Sequence, residues 1–95
     1  MNSAANNLLQ VSESLKAIAH PDRISILVLL KKGSKKGISV SEICEKLERT
    51  QPEVSRHLSI LKNKSILVSE RSGVNVYYFI NRGSVIFNCI ESLIN

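Results

Sequence analysis

The 95-residue sequence has little of what marks several classes of protein. Only four glycines and two prolines occur, which excludes collagen-like and low-complexity chains. The longest uninterrupted apolar run, Ile26 to Leu30, is far shorter than the roughly 20 residues needed to cross a bilayer, so we expect that no segment spans a membrane. The first ten residues carry no lysine or arginine ahead of an apolar stretch, unlike a secretory signal. We therefore expect a cytoplasmic protein.

Cysteines and acidic residues are also scarce. Cys44 and Cys89 form neither a disulfide framework nor a CxxC pair, and reduced thiols are expected. Thirteen lysines and arginines against eight acidic residues give a formal charge of +5, which favours polyanions such as nucleic acid or an anionic membrane. The charge alone does not choose between them.

The sequence lacks the residue sets that catalysis requires. It shows no nucleophile, base and orienting residue in a plausible order, no phosphate-cradling glycine-rich loop and no motif of paired carboxylates. We predict that the protein is not an enzyme and uses no cofactor.

The composition, 43% hydrophobic and 22% charged, predicts a folded core. The length leaves room for a single domain spanning residues 1–95. A core of this size leaves much apolar surface exposed to water, which makes burial against a second copy of the chain attractive.

Apolar residues at helical spacing predict the first two helices. A first helix lies near residues 1–19, with the stripe Leu8, Val11, Leu15 and Ile18. A second helix begins at Pro21, a residue suited to a first turn, and Gly33 ends it.

Two capping patterns mark the next two helices. Ser39 and Glu42 predict the start of a short third helix, and Thr50 and Glu53 predict the start of a fourth helix over residues 51–63. Only Glu48 and Arg49 separate the third helix from the second capping pattern, so the two helices meet across a tight turn.

A β-hairpin and a last helix complete the predicted fold. The β-branched and aromatic runs 66–68 and 76–80 predict two strands, with an exposed tip between them that contains Gly73. Ser84 is the expected cap of an apolar helix over residues 84–94. The prediction is therefore a mainly α protein with about five helices and a β-hairpin.

This order of elements is typical of a winged helix-turn-helix, in which the second helix of the pair enters the major groove. On the fourth helix, the side away from Leu58 and Leu61 carries polar or small residues. These are Pro52, Ser55, Arg56, Ser59 and Asn63.

Several of these residues have side chains suited to DNA. Arg56 can donate two hydrogen bonds to guanine, and Gln51 can pair with adenine. Ser55 and Ser59 can donate hydrogen bonds to phosphates or base edges. The N-terminus of the helix also favours an anion. In the hairpin, Arg71 and Asn75 are candidates for contacts with the DNA backbone or minor groove.

Two other interpretations of this surface stay open. The same polar residues can form an ordinary solvated helix face, or bind a partner protein without any DNA. His57 lies at the margin of the apolar stripe and is expected to be a partly buried, hydrogen-bonded residue outside the site.

Three separated motifs resemble the ArsR/SmtB family of winged-helix repressors: Leu15-Lys16-Ala17-Ile18-Ala19-His20-Pro21-Asp22-Arg23, Val54-Ser55-Arg56-His57-Leu58 and Val76-Tyr77-Tyr78. The resemblance covers roughly residues 8–94. It implies a homodimer, joined through its first and last helices, that represses transcription by binding double-stranded DNA at an imperfect palindrome. Its recognition-helix contacts fall on Gln51, Pro52, Ser55 and Arg56.

The sequence departs from this family at the sites where some members bind metal. Ser39 and Ser41 stand where metal-binding members have cysteine, and a hydroxyl does not supply the thiolate that soft metals require. Residues 82–95 contain no histidine and only Glu91 as a carboxylate. We predict no metal site of the family type.

Position 52 and the wing also differ from the family pattern. Proline replaces the commoner serine and removes an amide hydrogen, and the wing is about one residue shorter than in metal-sensing members. Cys44 and Cys89 are candidates for a redox switch because some members sense oxidants through a cysteine pair. Cys44, beside Ile43 and Leu47, fits better as a small apolar residue.

Overall fold

The computed structural model describes residues 3–33 and 37–93. Five helices, α1 to α5, and three strands, β1 to β3, follow one another along this part of the chain. In chain order they are α1 (Ser3–Ile18), α2 (Pro21–Lys32), β1 (Ile38–Ser39), α3 (Val40–Leu47), α4 (Gln51–Asn63), β2 (Leu67–Ser72), β3 (Asn75–Ile80) and α5 (Phe87–Leu93).

The capping residues define the helix boundaries as the sequence predicts. The side chain of Ser39 accepts a hydrogen bond from the Glu42 amide at the start of α3, and Thr50 accepts one from Glu53 at the start of α4. Gly33 follows α2, with its amide bonded to the Leu30 carbonyl. The fold class, mainly helical with a β-hairpin wing, is confirmed.

The hairpin is part of a three-stranded antiparallel sheet with the order β1-β3-β2. Strands β2 and β3 extend further toward the tip than predicted, pairing from Leu67 with Ile80 to Ser72 with Asn75. Gly73, at φ 64°, and Val74 form the two-residue turn. The first position of such a turn requires the left-handed region that glycine adopts without cost.

The core lies between the helices and the base of the sheet. In the part of the chain that the structure describes, thirteen buried apolar residues form it: Ala17, Ile18, Ile26, Leu27, Ile38, Ile43, Val54, Leu58, Leu61, Ile66, Leu67, Ile86 and Ile90. Within residues 3–33 and 37–93, no helix is long and apolar enough to cross a membrane.

The last helix begins later than the sequence predicts. Ser84 does not cap it: the Ser84 amide donates to the Asn81 carbonyl, and its hydroxyl is buried without a hydrogen-bond partner. The Asn81 side chain also accepts a bond from the Gly83 amide. These bonds hold residues 81–84 in a turn, so α5 starts at Phe87. Residues 94–95, included in the predicted helix, lie outside the described part of the chain.

Candidate nucleic-acid interface

Helix α4 has one buried and one exposed side, as its periodicity predicts. Val54, Leu58 and Leu61 are at most 1% exposed and anchor the helix on the core. The predicted DNA-reading residues lie on the outside: Gln51, Pro52, Arg56 and Ser59 are exposed, and Ser55 is half-buried. The helix therefore presents a continuous polar surface to solvent.

Arg56 is the residue on this surface best suited to read a base. Its side chain is exposed, and none of the ion pairs among the described residues includes it. A guanidinium without a carboxylate partner keeps its fork of donors available for a guanine edge or a phosphate.

The first turn of α4 has few backbone amides available to an anion. Pro52 has no amide hydrogen, and the Glu53 amide donates to Thr50 Oγ1 at 3.4 Å. Of the first three residues, only Gln51 keeps an amide free for a phosphate. The Glu53 carboxylate, which accepts a hydrogen bond from the Thr50 hydroxyl at 3.0 Å, further offsets the positive end of the helix.

The wing places its two candidate residues on opposite faces of the hairpin. Arg71 pairs with Val76, and Asn75 pairs with Ser72. Because paired residues share a face and successive residues alternate, Arg71 and Asn75 point in opposite directions. Arg71 shares its face with Ser69, which accepts a hydrogen bond from Lys62 of α4 at 2.7 Å. Arg71 therefore lies on the side of the recognition helix, whereas Asn75 does not.

A polar cluster formed by His20, Asp22, Arg23, Arg49 and His57 joins α2 to the start of α4. Two hydrogen bonds run from Arg49 to Asp22, from Nε to Oδ2 at 3.2 Å and from Nη2 to Oδ1 at 3.3 Å. The Arg49 guanidinium is the main reason that the pKa of Asp22 lies below its usual range. The pair links the turn before α4 to the first turn of α2.

His57 forms the second link of this α2–α4 cluster. Its Nδ1 accepts a hydrogen bond from Arg23 Nε at 3.1 Å, and Arg23 also donates to the Ala17 carbonyl. The His57 side chain is 11% exposed. Burial, followed by the positive charges of His20 and Arg23, lowers the pKa of His57. The prediction of a partly buried, hydrogen-bonded histidine is confirmed.

The same cluster contains a potential set of metal ligands, because donor atoms of His20, Asp22 and His57 lie within 4.8 Å of one another. Its hydrogen bonds oppose that use. Nδ1 of His20 accepts from the Asp22 amide, and Nδ1 of His57 accepts from Arg23, so each neutral ring carries its proton on Nε2. If Nε2 bound a metal ion, the ring proton would have to sit on Nδ1. That N–H group would then face the N–H group that donates to Nδ1 in this structure, so the hydrogen bond would be lost.

The two cysteines lie on different elements. Cys44, on α3, is half-buried and packs against the core, as expected for a small apolar residue. Cys89, on α5, is exposed. Ser39, in the position of a family metal ligand, uses its side-chain oxygen to cap α3.

Sequence reasoning missed the pairing of Asp22 with Arg49. The two residues are 27 positions apart, and no periodic pattern connects them. Asp22 is typical of a first helical turn, and Arg49 of a solvated connection, so each residue alone has an ordinary local explanation.

A helix-turn-helix whose second helix exposes a polar face, followed by a β-hairpin, defines the winged helix-turn-helix class of DNA-binding proteins. The profile of the family described as "Bacterial regulatory protein, arsR family" matches residues 20–67, which is just over half of the chain. The protein belongs to this ArsR family of regulators.

Individual relatives agree with this assignment. The chain is 35% identical over 80 residues to the transcriptional repressor SdpR of Bacillus subtilis, covering 84% of each protein. The structure of reduced HlyU from Vibrio cholerae matches 98% of this chain and 94% of its own, with a TM-score of 0.81 and 27% identity.

A third similar protein is described as a homodimer. It is the winged helix-turn-helix DNA-binding domain of Mb0332 from Mycobacterium bovis, with a TM-score of 0.81 and 26% identity. The match covers 98% of this chain and 85% of the Mb0332 chain.

Proposed function

We propose that the chain is a homodimeric, sequence-specific regulator of transcription, acting as a repressor, and that α4 reads the major groove of an imperfect palindrome. The observation that carries the proposal is the exposed face of α4, on which Arg56 has no carboxylate partner within residues 3–33 and 37–93. The repressor role follows the ArsR relatives such as SdpR. A regulator that binds the chromosome acts in the cytoplasm, without catalysis.

The proposal gives each candidate residue a role. Arg56 reads a guanine, Gln51 reads an adenine, and Ser55 and Ser59 bind phosphates or base edges. Pro52 lets the start of α4 approach the DNA but donates no amide hydrogen. From the wing, Arg71 contacts the DNA on the side of the hairpin that faces α4. Asn75 contacts the DNA strand that passes the opposite face of the hairpin.

We propose further that residues 1–95 form one domain and that α1 and α5 hold the dimer together. Large apolar side chains on these helices are exposed in the single chain: Leu8 is 71%, Leu9 64% and Leu93 66% exposed. A partner that covers them removes apolar surface from water. The symmetric dimer then places its two recognition helices about 34 to 36 Å apart, one turn of DNA.

Duplex titration tests the proposal. A palindromic duplex is first enriched from a random pool by the unaltered chain, and its affinity is then measured at rising salt. We expect saturable binding, with log K falling linearly with log salt because phosphate contacts release counterions. Absence of saturable duplex binding would instead support the alternative of a winged-helix module that binds a partner protein.

A further inference from the structure

The α4 helix needs a defined orientation to read bases, and directional polar bonds can add to the orientation that its apolar packing sets. Val54, Leu58 and Leu61 hold α4 on the core through contacts that have no directional preference. Even a small rotation about the helix axis would move the outer side chains across the groove. Directional bonds near the start of α4 therefore help to select one orientation of its first turn.

The Arg49–Asp22 pair has the geometry for this task. Arg49 immediately precedes Thr50, the N-cap residue of α4. Its Nε and Nη2 donate to different oxygens of the Asp22 carboxylate, at 3.2 and 3.3 Å. Two such bonds restrict the angle between the groups as well as their distance.

Asp22 is itself a fixed acceptor. Its amide donates to the His20 side chain at 3.1 Å, and α2 is anchored in the core by Ile26 and Leu27. The Asp22 side chain is 20% exposed and the Arg49 side chain 44% exposed, so the pair lies at the protein surface and its acidic partner is the more buried of the two. Arg49 also lies 3.8 Å from Glu53 in the first turn of α4, which connects the pair to the recognition helix itself.

We propose that Arg49 and Asp22 are positioning residues for DNA recognition: their bidentate ion pair sets the orientation of the first turn of α4 on α2. The inference rests on the proposed function and adds a specificity role for two residues outside the reading face. The orientation set by the Arg49–Asp22 pair then turns the side chains of Gln51 and Arg56 toward the bases.

The test separates positioning from a direct phosphate contact by Arg49. Asp22→Asn removes the carboxylate charge and one of its two acceptor oxygens but keeps the arginine, and Arg49→Lys keeps a charge but not the bidentate geometry. Affinities are measured for the enriched palindrome and for an unrelated duplex of equal length. Glu45→Gln is the matched control because it makes the same charge change on the exposed surface of α3.

Positioning predicts that both variants bind the palindrome about threefold to tenfold more weakly than the unaltered chain. It also predicts that the Asp22→Asn and Glu45→Gln variants bind the unrelated duplex with equal affinity. The Asp22→Asn/Arg49→Lys double variant should lose no more than the worse single variant, because both substitutions break one interaction. Thermal unfolding confirms that each variant is folded at the temperature of the titration.

Three results would overturn the positioning role. Tighter binding of both duplexes by Asp22→Asn would show that the released Arg49 contacts phosphate. Full palindrome affinity in Arg49→Lys would show that the bidentate geometry does not matter. Equal losses on both duplexes would indicate a general structural defect. If the unaltered chain binds no duplex, the proposed function fails as well, and this failure is visible before any variant is compared.

Discussion

At the scale of single residues, Arg56 dominates the expected sequence preference. A guanidinium that bonds both O6 and N7 of guanine discriminates against other bases, whereas a phosphate contact does not. We expect Arg56→Ala to weaken binding by about 1 to 3 kcal/mol, with most of the loss at one base-pair position. Competition among duplexes substituted one base pair at a time measures this pattern.

Arg82→Ala is the matched control for Arg56→Ala. Arg82 is also exposed, but its guanidinium lies 5.5 Å from the ring centre of Phe87, next to α5 rather than on the reading face. Its removal should preserve the preference among duplexes. If Arg56→Ala weakens all duplexes equally, Arg56 contacts the DNA backbone instead of a base.

We expect His57 to make the stability of the fold depend on pH. Its pKa in the folded chain lies below the ordinary 6.5, so the unfolded chain takes up the proton first as pH falls. The free energy of unfolding should therefore decrease as pH falls below about 6.5 and level off below the folded-state pKa. Above about pH 7.5 the histidine is nearly neutral in both states and contributes little pH dependence.

The pH dependence is measured by urea unfolding from pH 8 to pH 5 in the unaltered chain and in His57→Gln. The glutamine oxygen can still accept a hydrogen bond from Arg23, but it does not titrate. The difference between the two curves isolates His57 from the other groups. A constant difference across this range would contradict the lowered pKa.

At the scale of the elements, the turn between α3 and α4 is strained. Glu48 caps α3 in the left-handed region at φ 55° and ψ 49°, where a side chain costs about 1 kcal/mol relative to glycine. We expect Glu48→Gly to raise the free energy of unfolding by roughly 0.5 to 1 kcal/mol. Thermal or urea unfolding measures the gain.

Glycine introduced in a regular part of the same helix is the control. Glu45→Gly lies inside α3 and is expected to lower stability by about 1 kcal/mol, because glycine loses more backbone entropy there than other residues do. Opposite signs for the two substitutions would show that the left-handed conformation is the cause. A loss of stability in both variants would count against strain at Glu48.

Some helices and strands of this fold can be predicted from local sequence signals, and others cannot. Helices α3 and α4 follow from an apolar stripe together with a capping box, because both signals lie within a few residues, whereas α2 follows from Pro21 at its start and Gly33 after its end. Strand β1 has only two residues, and one of them, Ser39, is also the cap of α3, so no alternating pattern could identify it. The start of α5 was predicted wrongly because the Asn81 turn competes with capping by Ser84.

Part of the candidate site can be predicted from the sequence, and part depends on the strand register and on helix packing. The outer face of α4 follows from the helical period, since Val54, Leu58 and Leu61 fix which side is buried. The opposite directions of Arg71 and Asn75 depend on the exact strand register, which the turn at Gly73 and Val74 sets. The link from Asp22 to Arg49 depends on how α2 packs beside α4, and local sequence does not encode that packing.

At the scale of the whole molecule, the exposed apolar surfaces of α1 and α5 predict the oligomeric state. Leu8→Glu and Leu93→Glu each place a charge where the proposed interface would bury it, so both should shift the dimer toward monomer. Sedimentation equilibrium over a range of protein concentrations measures the dissociation constant. Val74→Glu is the control, because Val74 is 92% exposed at the wing tip, away from both helices, and should leave the dimer intact.

Dimer dissociation should also weaken DNA binding more than it weakens the fold. A monomer contacts one half-site, so it loses the gain in effective concentration that a second linked half-site provides. For Leu93→Glu we therefore expect a large loss of affinity for the palindrome but nearly unchanged affinity for a duplex containing one half-site. If palindrome binding stays intact in a chain shown to be monomeric, recognition does not require two copies, and α1 and α5 serve another partner.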